Sequence, residues 1–199
     1  MIDGPFRSIA PRYSGWLISI YRRCHLTPNH VTLLGFGFGI LASAMVALGN
    51  FQLALAFWWI GRVFDGTDGV YARAIGRVSA FGGYLDIVLD MAAYGAMIIG
   101  FAVQFPEHWL LWILIEFFYI LCITTALALG AMERSMKLND NDNRSLRLAS
   151  GLAEGGETGI AYSLFLLFPQ NIAVLAMAWT GILLFTVVSR SLLAWKIMR

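Results

Sequence analysis

The chain has 199 residues, 59% of them hydrophobic and only 13% charged, with a mean hydropathy of +0.70. These values place it among polytopic membrane proteins, with room for about six spans of roughly 20 residues each. The net charge of +2 is too small to suggest a nucleic-acid partner, so the placement of charge matters more than its sum.

Residues 1–26 carry Arg7, Arg12, Arg22 and Arg23 around a short apolar core from Trp16 to Tyr21. That core is shorter than a signal-peptide h-region, and no small-residue cleavage site follows it. An amphipathic helix lying in the cytoplasmic interface is expected instead, with Trp16, Leu17 and Ile20 inward and the arginines toward lipid phosphates. Thr27-Pro28-Asn29 opens the first span, with Thr27 as N-cap and Pro28 at the first helical position. Gly35, Gly39 and Ser43 give this span a small-xxx-small ridge on which another helix can approach closely.

Gly49-Asn50 turns the chain into a second span, 51–76, apolar as far as Arg62. A third span follows at 79–105, and Pro106-Glu107-His108 makes the next turn. The fourth span covers 109–132 with Glu116 inside it. A polar stretch, 133–150, reads as a loop. A short fifth span, 155–168, turns at Pro169-Gln170-Asn171 into a sixth, 172–195. The expected fold is all-α: a polytopic protein of six transmembrane helices (27–199) preceded by the interfacial helix (1–26). The turns near Gly49, Pro106 and Pro169 hold no Lys or Arg, whereas the other connections and both ends do. The positive-inside rule therefore puts both termini in the cytoplasm. Cys24 and Cys122, the two cysteines, are expected to be reduced thiols, and His25, His30 and His108 show no metal-ligand spacing.

Four carboxylates interrupt this apolar pattern, and each costs roughly 2.5 kcal/mol or more inside hydrocarbon. Asp65, Asp68, Gly69, Ala72 and Arg73 fall on one helical face of the second span; Gly82, Asp86 and Asp90 fall on one face of the third. A turn near Gly76 can point both faces across a gap lined by Gly69 and Gly82. Convergent carboxylates are hard oxygen ligands suited to Mg²⁺ or Mn²⁺, and one or two such ions can grip a diphosphate. Pairing of the acids with Arg62, Arg73 and Arg77 is the competing account, but it leaves the glycines unexplained. At 1.5 Å per residue Asp65 lies about 15 Å in from Gly76, at the depth where headgroups meet hydrocarbon.

The string Asp65-x-x-Asp68-Gly69-x-x-Ala72-Arg73, eight residues, then Gly82-x-x-x-Asp86-x-x-x-Asp90 resembles the signature of the CDP-alcohol phosphatidyltransferases at every defined position. The resemblance implies a phosphotransferase for substituted phosphate groups. Such an enzyme passes a phosphoryl-linked alcohol, most often phosphatidyl from CDP-diacylglycerol, to an acceptor hydroxyl in phospholipid synthesis and releases CMP. It implies metal ligands at Asp65, Asp68, Asp86 and Asp90, with Asp90 the general base, and two Mg²⁺ or Mn²⁺ ions. Gly69 and Ala72 would pack beside the cytidine and Arg73 would hold the nucleotide end. Gly82 belongs to the same donor site, as do Asn29 and Thr32 of the first helix start, whose amides and dipole can face a diphosphate.

In family members with sugar-phosphate acceptors, basic residues placed like Arg134, Arg144, Arg147 and Arg190 hold the acceptor phosphate. Glu154 and Glu157 could instead meet hydroxyls or an amine, or pair with these arginines. A homodimer in a bacterial or archaeal cell membrane, with a cytoplasmic active site, is implied as well. Two other classes compete. A membrane prenyltransferase also sets aspartates and Mg²⁺ on a diphosphate, and a divalent-cation transporter would string acids along a path through the bilayer.

Overall fold

The computed structural model describes residues 15–135 and 155–198, and every element among them is helical. In chain order these are α1 (15–23), α2 (Pro28–Ala47), α3 (Phe51–Ala74), α4 (Ala80–Gln104), α5 (Trp109–Ser135), α6 (Gly155–Leu167) and α7 (Ile172–Met198). Single 3₁₀ turns at Pro106–His108 and Pro169–Asn171 lead into α5 and α7.

Local chemistry sets the boundaries. Thr27 Oγ1 accepts from the His30 amide while His30 Nδ1 accepts from the Thr27 amide, a reciprocal cap that starts α2 with Pro28 in its first turn. Asn50 caps Leu53 and Ser79 caps Gly82, starting α3 and α4. Gly49 (φ 74°) ends α2 and Gly76 (φ 65°) ends α3. At each stop the residue after the glycine bonds back five residues, Asn50 to Met45 and Arg77 to Ala72, which satisfies carbonyls the helix leaves open. His25 (φ 53°) takes the same place after α1 without being glycine.

Four stretches are long and apolar enough to cross a membrane: Pro28–Ala47, Ala80–Gln104, Pro106–Met132 and Pro169–Lys196. Four of the six expected spans therefore meet that criterion among the described residues. The 24 residues of α3 are long enough, but they include Arg62, Asp65, Asp68 and Arg73. The described part of the fifth is the 13 residues of α6.

The chain divides into two compact units, residues 2–107 and 108–199. In the first, α2 packs against both α3 and α4, while the latter two meet through long side chains and not backbone to backbone. The small-residue ridge makes this possible. A Cβ on Gly61 would sit 2.9 Å from the Gly35 carbonyl oxygen, one on Gly39 3.0 Å from Ala93 Cβ, and one on Gly100 2.6 Å from the Ser43 carbonyl oxygen. Ser43 Oγ also donates to the Ala96 carbonyl. With α2 this close to both neighbours, side chains of α3 and α4 can meet beside it, as Trp58 and Tyr94 do with ring centroids 6.0 Å apart.

Helix α1 lies against the start of this unit through Tyr21. Trp16 and Ile20 are 63% and 42% exposed, and Tyr21 is the buried residue, packed with Val31, Tyr71, Leu17 and Ile18. An apolar stripe read from sequence does not say whether lipid or protein covers it. Arg22, expected to face lipid phosphate, donates instead to the Ala74 carbonyl at 3.2 Å, where a cation complements the C-terminal end of α3.

The second unit is closed by large side chains. Trp112, Ile115, Tyr162, Phe165, Trp179 and Leu183 are buried, and Trp179 Nε1 donates to the Tyr119 hydroxyl at 2.9 Å. Both cysteines are free thiols, Cys24 exposed and Cys122 buried.

Candidate active site

The motif lies wholly within the first unit, on α3 and the N-terminal half of α4. Asp68 is buried, and Asp65, Asp86 and Asp90 are partly exposed. Thr32, one turn into α2, donates from Oγ1 to Asp68 Oδ2 at 2.5 Å, so the helix between the two motif helices fixes one of the acids directly. A bond to an ionised acceptor is roughly twice as strong as a neutral one.

Asp65 and Asp90, one from each half of the motif, meet on a single cationic nitrogen. Arg62 Nη1 lies 3.3 Å from Asp65 Oδ2, in contact with Asp90 Oδ1, and 3.2 Å from the Tyr94 hydroxyl. The guanidinium carbon stands 4.8 Å from the Trp58 ring centroid and 5.2 Å from that of Tyr94. Weakly hydrated and planar, an arginine tolerates such an aromatic slot better than a lysine does. Among the described residues, no three His, Cys, Asp or Glu side chains stand close enough together to ligate one ion in this arrangement. The donor set nevertheless fits a hard divalent cation. It is all carboxylate oxygen, and two of its members already converge on one positive centre.

The glycines of the motif are covered by polar groups, not by apolar ones. A Cβ on Gly82 would meet Ser79 Oγ at 3.1 Å and Asn29 Oδ1 at 3.4 Å, which puts the start of α2 beside the start of α4. A Cβ on Gly69 would meet Arg73 Nη1 at 3.4 Å, so the exposed Arg73 side chain lies over Gly69. Ala72 is partly exposed one turn further along. Asn29, Thr32, Gly69, Ala72, Arg73 and Gly82 thus belong to the same end of the same unit as the aspartates.

Of the residues expected at the acceptor end, the one described with its side chain, Arg190, stands in the second unit. Arg190 is buried, and its Nη1 donates to the Cys122 carbonyl at 2.9 Å. Arg134 falls within α5 by its backbone, with its side chain outside what is described; Arg144, Arg147 and Glu154 lie outside the described residues altogether. Glu116 buries one carboxylate oxygen with no hydrogen-bond partner among the described residues.

Sequence reasoning missed three supports. Arg62 appeared only as a possible ion-pair partner; its signal was its place one turn before Asp65 on the same face. Tyr94 stands one turn past Asp90. Tyr21 reaches from α1 to hydrogen-bond Thr67 at 2.9 Å, and burial raises its phenol above the ordinary value, so the hydroxyl stays neutral.

Apolar helices of membrane length, beside an acidic network carried on α3 and α4, define the class: an integral membrane enzyme. The sequence model of the CDP-alcohol phosphatidyltransferase family matches residues 25–195, and the chain belongs to that family. It is 36% identical over 149 residues to the inner membrane protein YnjF of Escherichia coli, covering 72% of this chain and 71% of that one. It is 38% identical over 84 residues to the archaetidylinositol phosphate synthase of Pyrococcus horikoshii, covering 42% and 45% of the two chains. The fold is similar to that of the phosphatidylinositol phosphate synthase PgsA1 of Mycobacterium tuberculosis with CDP-DAG bound. The TM-score is 0.61 at 21% identity, over 92% of this chain and 94% of that one. PgsA1 in complex with manganese and citrate matches with a TM-score of 0.59 at 21% identity, over 90% and 87%.

Proposed function

We propose that this protein transfers phosphatidyl from CDP-diacylglycerol to the hydroxyl of an alcohol acceptor and releases CMP, in phospholipid synthesis. The observation that carries the reading is the meeting of Asp65 and Asp90, from opposite halves of the motif, on one cationic nitrogen, with Asp68 fixed by Thr32. Asp65, Asp68, Asp86 and Asp90 would hold Mg²⁺ or Mn²⁺, two ions per site. Such ions neutralise charge on the phosphoryl and leaving groups. PgsA1 supports both assignments, having been seen with CDP-DAG and with manganese.

The chain's own residues divide the remaining work. Asp90 takes the proton of the acceptor hydroxyl as its oxygen attacks the donor phosphorus; the phosphorus–oxygen bond to CMP breaks and CMP leaves. Gly69 and Ala72 leave room for the cytidine, Arg73 holds the nucleotide end, and Asn29, Thr32 and Gly82 border the diphosphate. Arg134, Arg144, Arg147 and Arg190 are assigned to the acceptor phosphate. The name of the Pyrococcus relative makes inositol phosphate the first acceptor to try.

The arrangement in the membrane follows the same reading. Residues 1–26 form the interfacial element and 27–199 a domain of six spans, with both termini and the active site cytoplasmic, in a homodimer. The test is purified protein with labelled CDP-diacylglycerol, Mn²⁺ and a panel of alcohols that includes inositol phosphate and glycerol phosphate. CMP release and a labelled lipid product with one acceptor are expected. No release from any CDP-linked donor would overturn the proposal.

A further inference from the structure

Arg62 Nη1 carries two N–H bonds and faces three acceptors, Asp65 Oδ2, Asp90 Oδ1 and the Tyr94 hydroxyl. The nitrogen is oversubscribed, and the contact to Asp65, at 3.3 Å, is the longest of the three. Its Nε is buried without a hydrogen-bond partner among the described residues, so that nitrogen does not anchor the guanidinium. The rings of Trp58 and Tyr94 hold the group in place from both helices, and the side chain is 10% exposed. A cation seated this way stays near the acids whether or not any one carboxylate keeps hold of it.

We propose that Arg62 is a built-in counter-cation of the acidic site, a positioning residue that fixes Asp90 for the transfer and occupies Asp65 until a divalent cation takes that carboxylate. This rests on the assignment of the aspartates as cation ligands. Three consequences follow from the geometry. Before a divalent cation binds, Arg62 offsets the repulsion between two carboxylates held close together in a partly buried site. When one binds, Asp65 changes partner, and the cation competes with the guanidinium for that carboxylate. Asp90 keeps its contact, so Arg62 continues to orient the group that receives the acceptor's proton. Removing a hydrogen-bond donor that orients a carboxylate ligand normally weakens metal binding. Removing a competing cation does the opposite, which separates this role from ordinary support of a ligand.

The experiment follows thermal unfolding of EDTA-stripped protein in detergent as Mn²⁺ is added, for wild type, Asp65→Asn, Arg62→Gln and Arg62→Lys, beside the kinetics of CMP release. Wild type gains stability with Mn²⁺, because a ligand that binds only the folded state stabilises it, and Asp65→Asn loses most of that gain. Arg62→Gln lowers the half-stabilising Mn²⁺ concentration about tenfold, an ordinary coupling between two groups competing for one partner. It also cuts kcat by about ten- to hundredfold while the KM for the CDP-linked donor barely moves. Arg62→Lys shifts both quantities in the same sense by less, and decides the matter should the Gln variant not fold. An unchanged Mn²⁺ midpoint with wild-type kcat per folded molecule, whatever the fall in melting temperature, makes Arg62 a packing residue and overturns the proposal alone. A wild type that does not respond to Mn²⁺ overturns the cation assignment, and this proposal with it.

Discussion

The two units close their interiors by opposite means. In residues 27–107 the contacts are backbone on backbone, with Gly35 against Gly61, Gly39 against Ala93 and Gly100 against Ser43, and the polar groups of α2, α3 and α4 form a network across helices. In residues 108–199 the contacts are aromatic, with Tyr119 edge-on to Tyr162 at 6.5 Å and Trp179 bonded to Tyr119. Several hydroxyls there turn back on their own helix, as the buried Thr186 does to the Ile182 carbonyl. Close backbone approach leaves little play between helices, which is what charges in an apolar bundle need if they are to meet accurately. Bulky aromatic packing fills volume without imposing that accuracy.

The largest break in this contrast comes from the chemistry itself. Asp90→Asn should lower transfer by about 10²–10⁴-fold, the ordinary contribution of a general base, while calorimetry still registers binding of the CDP-linked donor. Normal transfer by this variant would remove Asp90 from the role of base. Thr32→Val leaves Asp68 without its α2 partner. A hydrogen bond to a charged group contributes about 1.5–3 kcal/mol, so transfer should fall by tenfold or more, measured as initial rates of CMP release.

Arg190→Ala probes the second unit. It removes a donor from the Cys122 carbonyl and should destabilise the fold by about 1–3 kcal/mol while raising the KM for a phosphorylated acceptor. A lower melting temperature with unchanged acceptor KM would confine Arg190 to packing. The smallest effects sharpen the comparison through glycine alone. Gly100→Ala drives a Cβ to 2.6 Å from a backbone oxygen and should cost about 1–3 kcal/mol in thermal unfolding. Gly181→Ala, in α7 with nothing within 4 Å, should be neutral or stabilise by up to about 1 kcal/mol.

Helix boundaries were legible because they are local. Thr27-Pro28, Gly49-Asn50, Ser79 and the turns at Pro106 and Pro169 each act within a few residues, and α2, α3 and α4 begin and end within about two residues of the expected positions. The motif was legible for a similar reason, since helical spacing puts the acids on shared faces whatever else surrounds them. The partners of those acids were not. Arg62 is 28 residues from Asp90 and Thr32 is 36 from Asp68, so both pairings depend on how close α2 lets α3 and α4 come. Thr32 was assigned to the donor site from its place at the helix start, and the bond of its hydroxyl to Asp68 was not foreseen. The protein-facing side of α1 was not legible either, because Tyr21 packs against Tyr71 and Phe64, which lie 50 and 43 residues away in the chain.

The central claim is that the acidic network of the first unit works through a divalent cation. Its most direct test is CMP release from labelled CDP-diacylglycerol by EDTA-stripped protein as Mn²⁺ is restored, in the presence of an acceptor that supports turnover. Turnover should be absent in the stripped protein, return saturably with Mn²⁺, and remain low in Asp65→Asn at every concentration. Full turnover in the metal-free preparation would contradict it.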